Sequence, residues 1–319
     1  MKLLRYELKK LFSSKGILFL VTVLLLVNAV LCYLSPSGVD KKRSDEEYIA
    51  GYRSDIERVI RLAERNIADL SGGGDSFIVR YQKRVIEKYT AILGSGQIPE
   101  RISGFDEYVA MSGQISLLLF LVVILGSRII LCEHDSRMKS FLCISKRGNR
   151  TYVNKLWLML FLSFGLSAVF SILNLTVCGI KHGFSGWQAP VVSVQIMEFC
   201  PYPMSIIGYI LTVYVISSAL TFLVALLSAV VGKLSGSYIF TLFSGGTVCT
   251  CLYLSGFDLG GIFTRYRALN LFGIAVDSLP FYAILLLLTG AFLGTLFCLV
   301  GNRQTSFGER MRRAENLLL

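Results

Sequence analysis

The 319 residues point to an all-α, polytopic membrane protein with six transmembrane helices. An N-terminal amphipathic elbow helix precedes them, and an extracellular helical hairpin lies between the first two spans. Hydrophobic residues make up 54% of the chain and charged ones only 17%, with a mean hydropathy of +0.61. Soluble domains carry roughly 25% charge, and a soluble chain this apolar could not cover its surface. Apolar stretches of about 20 residues, enough to cross a bilayer core, recur along the sequence. Lys and Arg gather on one set of loop ends.

The apolar stretches are Ile17–Leu34, Ile115–Cys132, Leu156–Cys178, Met204–Val231, Ser237–Leu254 and Phe281–Gly301. The fourth is long enough to tilt or to begin outside the bilayer. The first follows a basic start and resembles a secretory signal. Its apolar run exceeds the usual signal core, and no A-x-A-like site follows, so it reads as a retained span. The organisation is then an interfacial helix over 1–16, the first span over 17–34 and an extracellular domain over 35–114. A bundle over 115–301 and a basic tail over 302–319 complete it.

Orientation comes from the short loops. Lys2, Arg5, Lys9, Lys10 and Lys15 share one side with Arg137, Lys139, Lys146, Arg147, Arg150 and Lys155. Lys233, Arg303, Arg310, Arg312 and Arg313 join them, whereas the opposite short loops hold only Lys181, Arg265 and Arg267. The basic side is predicted to be cytoplasmic, with both termini inside. The net charge of +11 is accordingly read against membrane lipid, not nucleic acid.

In MKLLRYELKKLF, Leu3, Leu4, Leu8, Leu11 and Phe12 share one helical arc, and Lys2, Arg5, Lys9 and Lys10 share the other. Such a helix lies along the inner leaflet among anionic headgroups. Glu7 breaks the apolar arc, either snorkelling or facing a protein partner. In the outer segment, Ser44 and Glu47 form a capping-box signature. One apolar stripe runs Tyr48, Tyr52, Ile56, Val59, Ala63, Ile67, Leu70, and a second runs Ile78, Tyr81, Val85, Tyr89, Ile92. Glycines after each stripe end the helices. The two stripes are expected to press together, as a spacer that packs on itself or as a gating or partner-binding element.

Chemistry within the chain is sparse. No GxxxxGK[ST], HExxH or GxSxG occurs, so the sequence offers no P-loop, zinc-protease helix or nucleophile elbow. His134 and His182 stand alone, and the eight cysteines lack a CxxC, so no metal or cofactor is expected in this chain. Cys178 and Cys200 bracket one outer loop, which leaves a disulfide between them open. The central spans hold no Asp or Glu of the kind ion-coupled carriers use. Arg128, about a turn from the inner end of the second span, either snorkels to headgroups or is fixed by an acid. Any energy for transport therefore comes from outside the chain.

The stretch LGSRIILCEHDSRMKSFLCISKRGNRTYVNK, Leu125 to Lys155, is suited to meeting such a source. Met138, Phe141, Leu142 and Cys143 supply apolar surface, and Arg137, Lys139 and Lys146 supply charge. A short amphipathic helix across the cytoplasmic end fits this pattern. The stretch also resembles a motif of the ABC-2 family of bacterial ABC transporter permeases, at Ser127, Arg128, Glu133, Met138, Ser145, Lys146, Gly148 and Lys155. Arg137 stands where the family often has glycine, and the Arg after Gly148 is displaced to Arg150. The opening MKLLRYELKKLFSSKG is similar to the family's basic amphipathic start.

The resemblance implies a type V exporter-like fold in the bacterial plasma membrane. Two permeases, identical or paralogous, would pair above two separate ATPase subunits, which hold the ATP and Mg. Residues 133–150 would form the coupling helix. Its interface would comprise Glu133, Arg137, Met138, Phe141, Leu142, Lys146 and Arg150. Arg128 and Lys155 would support its base, with Glu133 and Arg150 helping to fix it. The turn at Gly232–Gly236, with Lys233, would be a second contact. Lipid, peptide or other amphipathic cargo is the expected substrate class. A membrane sensor or scaffold with a ligand-binding outer hairpin is the alternative, and a membrane enzyme the third reading.

Overall fold

A computed structural model describes residues 9, 15–34, 43–70, 76–102, 104–112, 115–135, 148–183, 185–254, 259–271 and 274–318, with side chains outside 130–152, 253, 298 and 300–318. The N-terminal amphipathic helix therefore lies outside the described residues apart from Lys9, which is helical.

The protein is a helical, membrane-embedded chain. Its elements are α1 (Lys15–Leu34), α2 (Asp45–Leu70), α3 (Phe77–Gly94), α4 (Phe105–Ser112), α5 (Ser116–Asp135), α6 (Gly148–His182), α7 (Ile206–Ser235), α8 (Tyr238–Leu254), α9 (Gly261–Thr264) and α10 (Ser278–Leu318). A short antiparallel hairpin, β1 (Ala268–Leu271) and β2 (Ile274–Asp277), pairs Ala268 with Asp277 and Leu271 with Ile274. All-α thus describes the bundle but not the loop before α10.

Among the described residues, four helices are long and apolar enough to cross a membrane: α1, most of α6, α7 and the first half of α10. Helices α4 and α5 are bent by 43° at a short break and count as a fifth if taken together. Helix α8 is apolar but shorter, at 17 residues. The second apolar run is thus preceded by a separate short helix that hydropathy alone did not reveal. Its entry helix α4 carries Asp106 and Glu107, which masked it in the hydropathy pattern.

Helix α7 is the hub, packing on α5, α6, α8 and α10. Its buried face carries Ser217, Ser218, Thr221, Ala225, Ser228, Ala229 and Gly232. Lipid tails are as apolar as leucine, so helices associate in a membrane by close packing, and small residues permit it. The hydroxyls bond within their own helix, as Ser218 and Ser228 do to the carbonyls of Tyr214 and Val224 at 2.7 and 2.9 Å. Ser167 and Thr221 meet across α6 and α7 at 3.2 Å. On α8, a Cβ at Gly245 would collide with Val123 of α5, whereas nothing lies within 4 Å of one at Gly246.

Helices α2 and α3 form the hairpin domain at one end of the bundle. Ser44 Oγ accepts from Glu47 N–H, and Glu47 accepts from Ser44 N–H, both at 3.3 Å, completing the capping box. Ser76 caps α3 through Val79 N–H. Tyr48, Tyr52, Ile56 and Ala63 are buried, as are Val85, Tyr89 and Ile92. Ile78 is 49% exposed and its neighbour Val79 takes the inward position.

Two helical glycines one residue apart test this packing. Gly245→Ala is expected to lower detergent-phase thermal stability, at a cost of about 1–3 kcal/mol for overpacking against a stiff β-branched side chain. Gly246→Ala should be neutral or stabilising, by up to about 1 kcal/mol from helix propensity. Thermal unfolding of the two variants beside the wild type checks the contrast.

Candidate functional site

The hairpin domain does not pack only on itself. It is bonded to the loops between α6 and α7 and between α8 and α10 by tyrosine hydroxyls. Tyr48 donates to Val192 O at 2.5 Å, Tyr89 to Phe199 O at 2.9 Å and Tyr81 to Tyr266 O at 3.2 Å. Asp277, at the end of β2, accepts from Tyr266 at 2.7 Å and pairs with Lys88 of α3 at 3.3 Å. Phenols placed at helical spacing thus fasten the domain to two loops distant in sequence. The stripe pattern revealed that these tyrosines face inward but not that their polar tips reach past the hairpin.

Between α2, α3 and the loops lies a cavity of about 400 Å³, lined in part by Tyr81, Tyr89, Phe199, Tyr266, Asn66 and Arg265. The exposed Arg265 guanidinium sits 5.7 Å from the Phe199 ring centroid. Cation and aromatic faces together make this the domain's candidate ligand pocket.

Where the domain meets the bundle, a polar seam runs between α1 and α6. Asn28 Nδ2 donates to Asn174 Oδ1 at 2.6 Å. One turn on, Cys32 Sγ and Cys178 Sγ are 4.0 Å apart. Another turn on, Lys181 Nζ lies 5.7 Å from the Tyr33 ring centroid. Lys181 and His182 then grip Glu107 of α4 at 2.5 and 2.8 Å, with Glu107 only 5% exposed. Gly104, at φ +82°, lets the chain enter α4 against His182, where a Cβ would stand 2.5 Å from that residue's own. The bridge between Cys178 and Cys200 left open by the sequence is not formed. Cys200 is a free, buried thiol that donates to Tyr202 O at 3.7 Å, and the sulfur beside Cys178 belongs to Cys32.

The residues that the sequence assigns to a cytoplasmic coupling surface and its base fall, where described, toward the ends of α5, α6 and α7 away from the hairpin domain. Glu133 lies in the last turn of α5 and Arg150 in the first turn of α6. Arg137, Met138, Phe141, Leu142 and Lys146 lie outside the described residues. Arg128 is exposed on α5, whereas Lys155 is 1% exposed within α6. Lys233 is not on the surface of its turn. It is 7% exposed, donates to Phe297 O of α10 at 3.3 Å and lies over the Phe297 ring at 4.7 Å. A long aliphatic stem lets it reach inward, and Leu234, 67% exposed, takes the outer position. Among the described residues no group of His, Cys, Asp and Glu is arranged to hold a metal.

A groove of about 800 Å³ between α5 and α8 faces away from the core and is lined by Leu117, Phe120, Ile239, Phe243, Gly246 and Thr250, among others.

Two outcomes follow for the domain end. Burial pushes the phenols of Tyr89 and Tyr202 up to about 12 and raises those of Tyr48, Tyr52 and Tyr266 as well. Free tyrosine titrates near 10, so below that pH both folded and unfolded chains keep their phenol protons. Between about pH 10 and 12 the folded domain holds protons that the unfolded chain has lost, and stability falls as pH rises. Thermal unfolding should be flat up to about pH 10 and decline above it, with phenolate absorbance rising in step. Separately, Glu107→Ala leaves Lys181 and His182 without their carboxylate and should cost about 1–3 kcal/mol, with a smaller loss for Glu107→Gln, in detergent thermal melts.

Comparison with known proteins finds no matching family model, no similar curated protein and no similar solved structure.

Proposed function

We propose that the chain is the transmembrane permease subunit of an ATP-driven exporter, coupling hydrolysis by a separate ATPase subunit to export of a lipid, peptide or other amphipathic cargo. The observation that carries this reading is the stretch from Leu125 to Lys155. Its ABC-2-like residues, Ser127, Arg128, Glu133, Met138, Ser145, Lys146, Gly148 and Lys155, join two helices, α5 and α6, that pack on each other. A loop anchored at both ends in a packed pair can transmit a push, which a free tail cannot. The absence of a P-loop motif from the sequence is consistent with a catalytic subunit elsewhere, carrying ATP and Mg.

In this reading the chain sits in a bacterial plasma membrane with both termini inside. The coupling surface is Glu133, Arg137, Met138, Phe141, Leu142, Lys146 and Arg150, above a base at Arg128 and Lys155. The second contact, at Gly232–Gly236, is presented by Leu234, with Lys233 securing α7 to α10 beneath it. The groove between α5 and α8 offers an apolar seam for a second permease copy. A sensor reading is favoured by one feature, the aromatic cavity beside Arg265 in the hairpin domain.

The two readings separate in one pull-down. A P-loop ATPase should copurify with the wild-type chain and be lost when residues 133–150 are scrambled. In the reconstituted complex, Glu133→Ala should lower substrate-stimulated ATP turnover and transport together, by about tenfold for a lost coupling contact near 1.4 kcal/mol. Failure to recover any such ATPase, or full activity in the variant, would exclude the assignment.

A further inference from the structure

Helix α1 is a sparsely buried span. Leu18, Phe19, Leu26, Val30, Leu31 and Leu34 are all exposed, and only Ile17, Asn28 and Cys32 are buried. Its principal neighbour is α6. Without a hydrophobic driving force between helices in lipid, a span with so little buried surface depends on specific contacts.

Those contacts are in register. Asn28 meets Asn174 and Cys32 meets Cys178, a step of four residues on both helices in the same direction. The helices therefore run parallel, and the pairing on either side of the thiols holds the sulfurs opposite each other. Cys32 is fully buried and Cys178 is 4% exposed, so each faces the seam and not lipid. The Sγ atoms are 4.0 Å apart, while a disulfide needs about 2.05 Å. Closure brings the two sulfurs about 2 Å nearer to each other. Cys32 lies two residues and Cys178 four residues from its helix's C-terminal end, at the end of the bundle that bears the hairpin domain. The charge bias of the loops places this end outside, where disulfides persist.

We propose that Cys32 and Cys178 form a disulfide that staples α1 to α6 at the outer end of the bundle, installed by thiol–disulfide exchange with a disulfide-bearing oxidant of the outer compartment. One cysteine thiolate attacks the oxidant's S–S bond, giving a mixed disulfide and releasing one oxidant sulfur as a thiol. The second cysteine thiolate attacks the protein sulfur of that mixed bond, closing Cys32–Cys178 and releasing the other oxidant sulfur. Two electrons pass to the oxidant, and the two protein thiol protons balance its two new thiols. Exchange takes place before α1 seats, because the docked seam buries both sulfurs. Closure then makes α1 and α6 one body. The proposal rests on the charge-derived orientation and not on the permease reading.

The test uses the full chain with a protease site inserted among the glycines at 72–74, which lie between Cys32 and Cys178 in sequence. Membranes are quenched with acid and N-ethylmaleimide, cleaved and run without reductant. The wild-type fragments should stay joined, and should part with dithiothreitol or in Cys32→Ser and Cys178→Ser variants. Mass spectrometry should find the peptide linking the two cysteines. Wild-type fragments that part without reductant overturn the proposal. Synthesis of the chain into lipid vesicles with oxidised glutathione present throughout insertion, before α1 seats, then locates the failure. Linking under those conditions means that the geometry is right but the thiols face a reducing compartment. No linking means that the sulfurs do not meet.

Discussion

Everything in the bundle depends on how closely α7 can be approached. Its buried face is rich in serine, threonine, alanine and glycine from Ser217 to Gly232, and four other helices lie against it. In lipid, burial of apolar area brings no gain, so dispersion between well-fitted surfaces must do what hydrophobicity does in water. The glycine of α8 at position 245 continues the same theme on a neighbouring helix, nesting against a fully buried valine. The α7 hydroxyls keep their hydrogen-bonding capacity inside their own helix, as Ser217, Ser218, Thr221 and Ser228 do.

The hairpin domain obeys the opposite rule. Its helices are amphipathic and charged on one face, and they bury an aromatic stripe in water's presence. What ties the domain to the bundle is polar and directional: three phenols on carbonyl oxygens, and an aspartate shared between a tyrosine and a lysine. One hydrophobic cluster joins Tyr48, Tyr89, Met197, Tyr209 and Phe263, so the domain, the loops and the head of α7 share a core.

Much of this was legible in the sequence. Long apolar runs marked α1, α6, α7 and α10, because a hydropathy excess over about 20 residues has few other causes. Ser44 and Glu47 announced the start of α2, and helical spacing identified Tyr48, Tyr52 and Ile56 as inward-facing. Other features were hidden for physical reasons. Helix α4 carries two acids in its first turn, one of which is buried only because Lys181 and His182 come to it from α6. The strands at 268–277 are four residues each, too short for a periodic signal. Lys233 was read as a surface charge, since nothing local reveals that a carbonyl and a ring on α10 await it. Loop proximity left a bridge between Cys178 and Cys200 open, whereas the sulfur that lies beside Cys178 belongs to a residue 146 positions away. At the opposite end of the bundle, the proposed coupling residues were legible only as a motif. Periodicity cannot show which side of a short mixed segment faces a partner.

Helix α10 follows β2 with no linker, Asp277 ending the strand and Ser278 opening the helix. It then runs 41 residues as one element. At 1.5 Å per residue that is roughly 60 Å, about twice the thickness of a bilayer's hydrocarbon core. Its first residue is anchored through Asp277 to the hairpin domain, and its middle is clasped by Lys233. The helix is thus tied at its start to the hairpin domain and at its middle to α7, and about half of its length continues beyond the clasp.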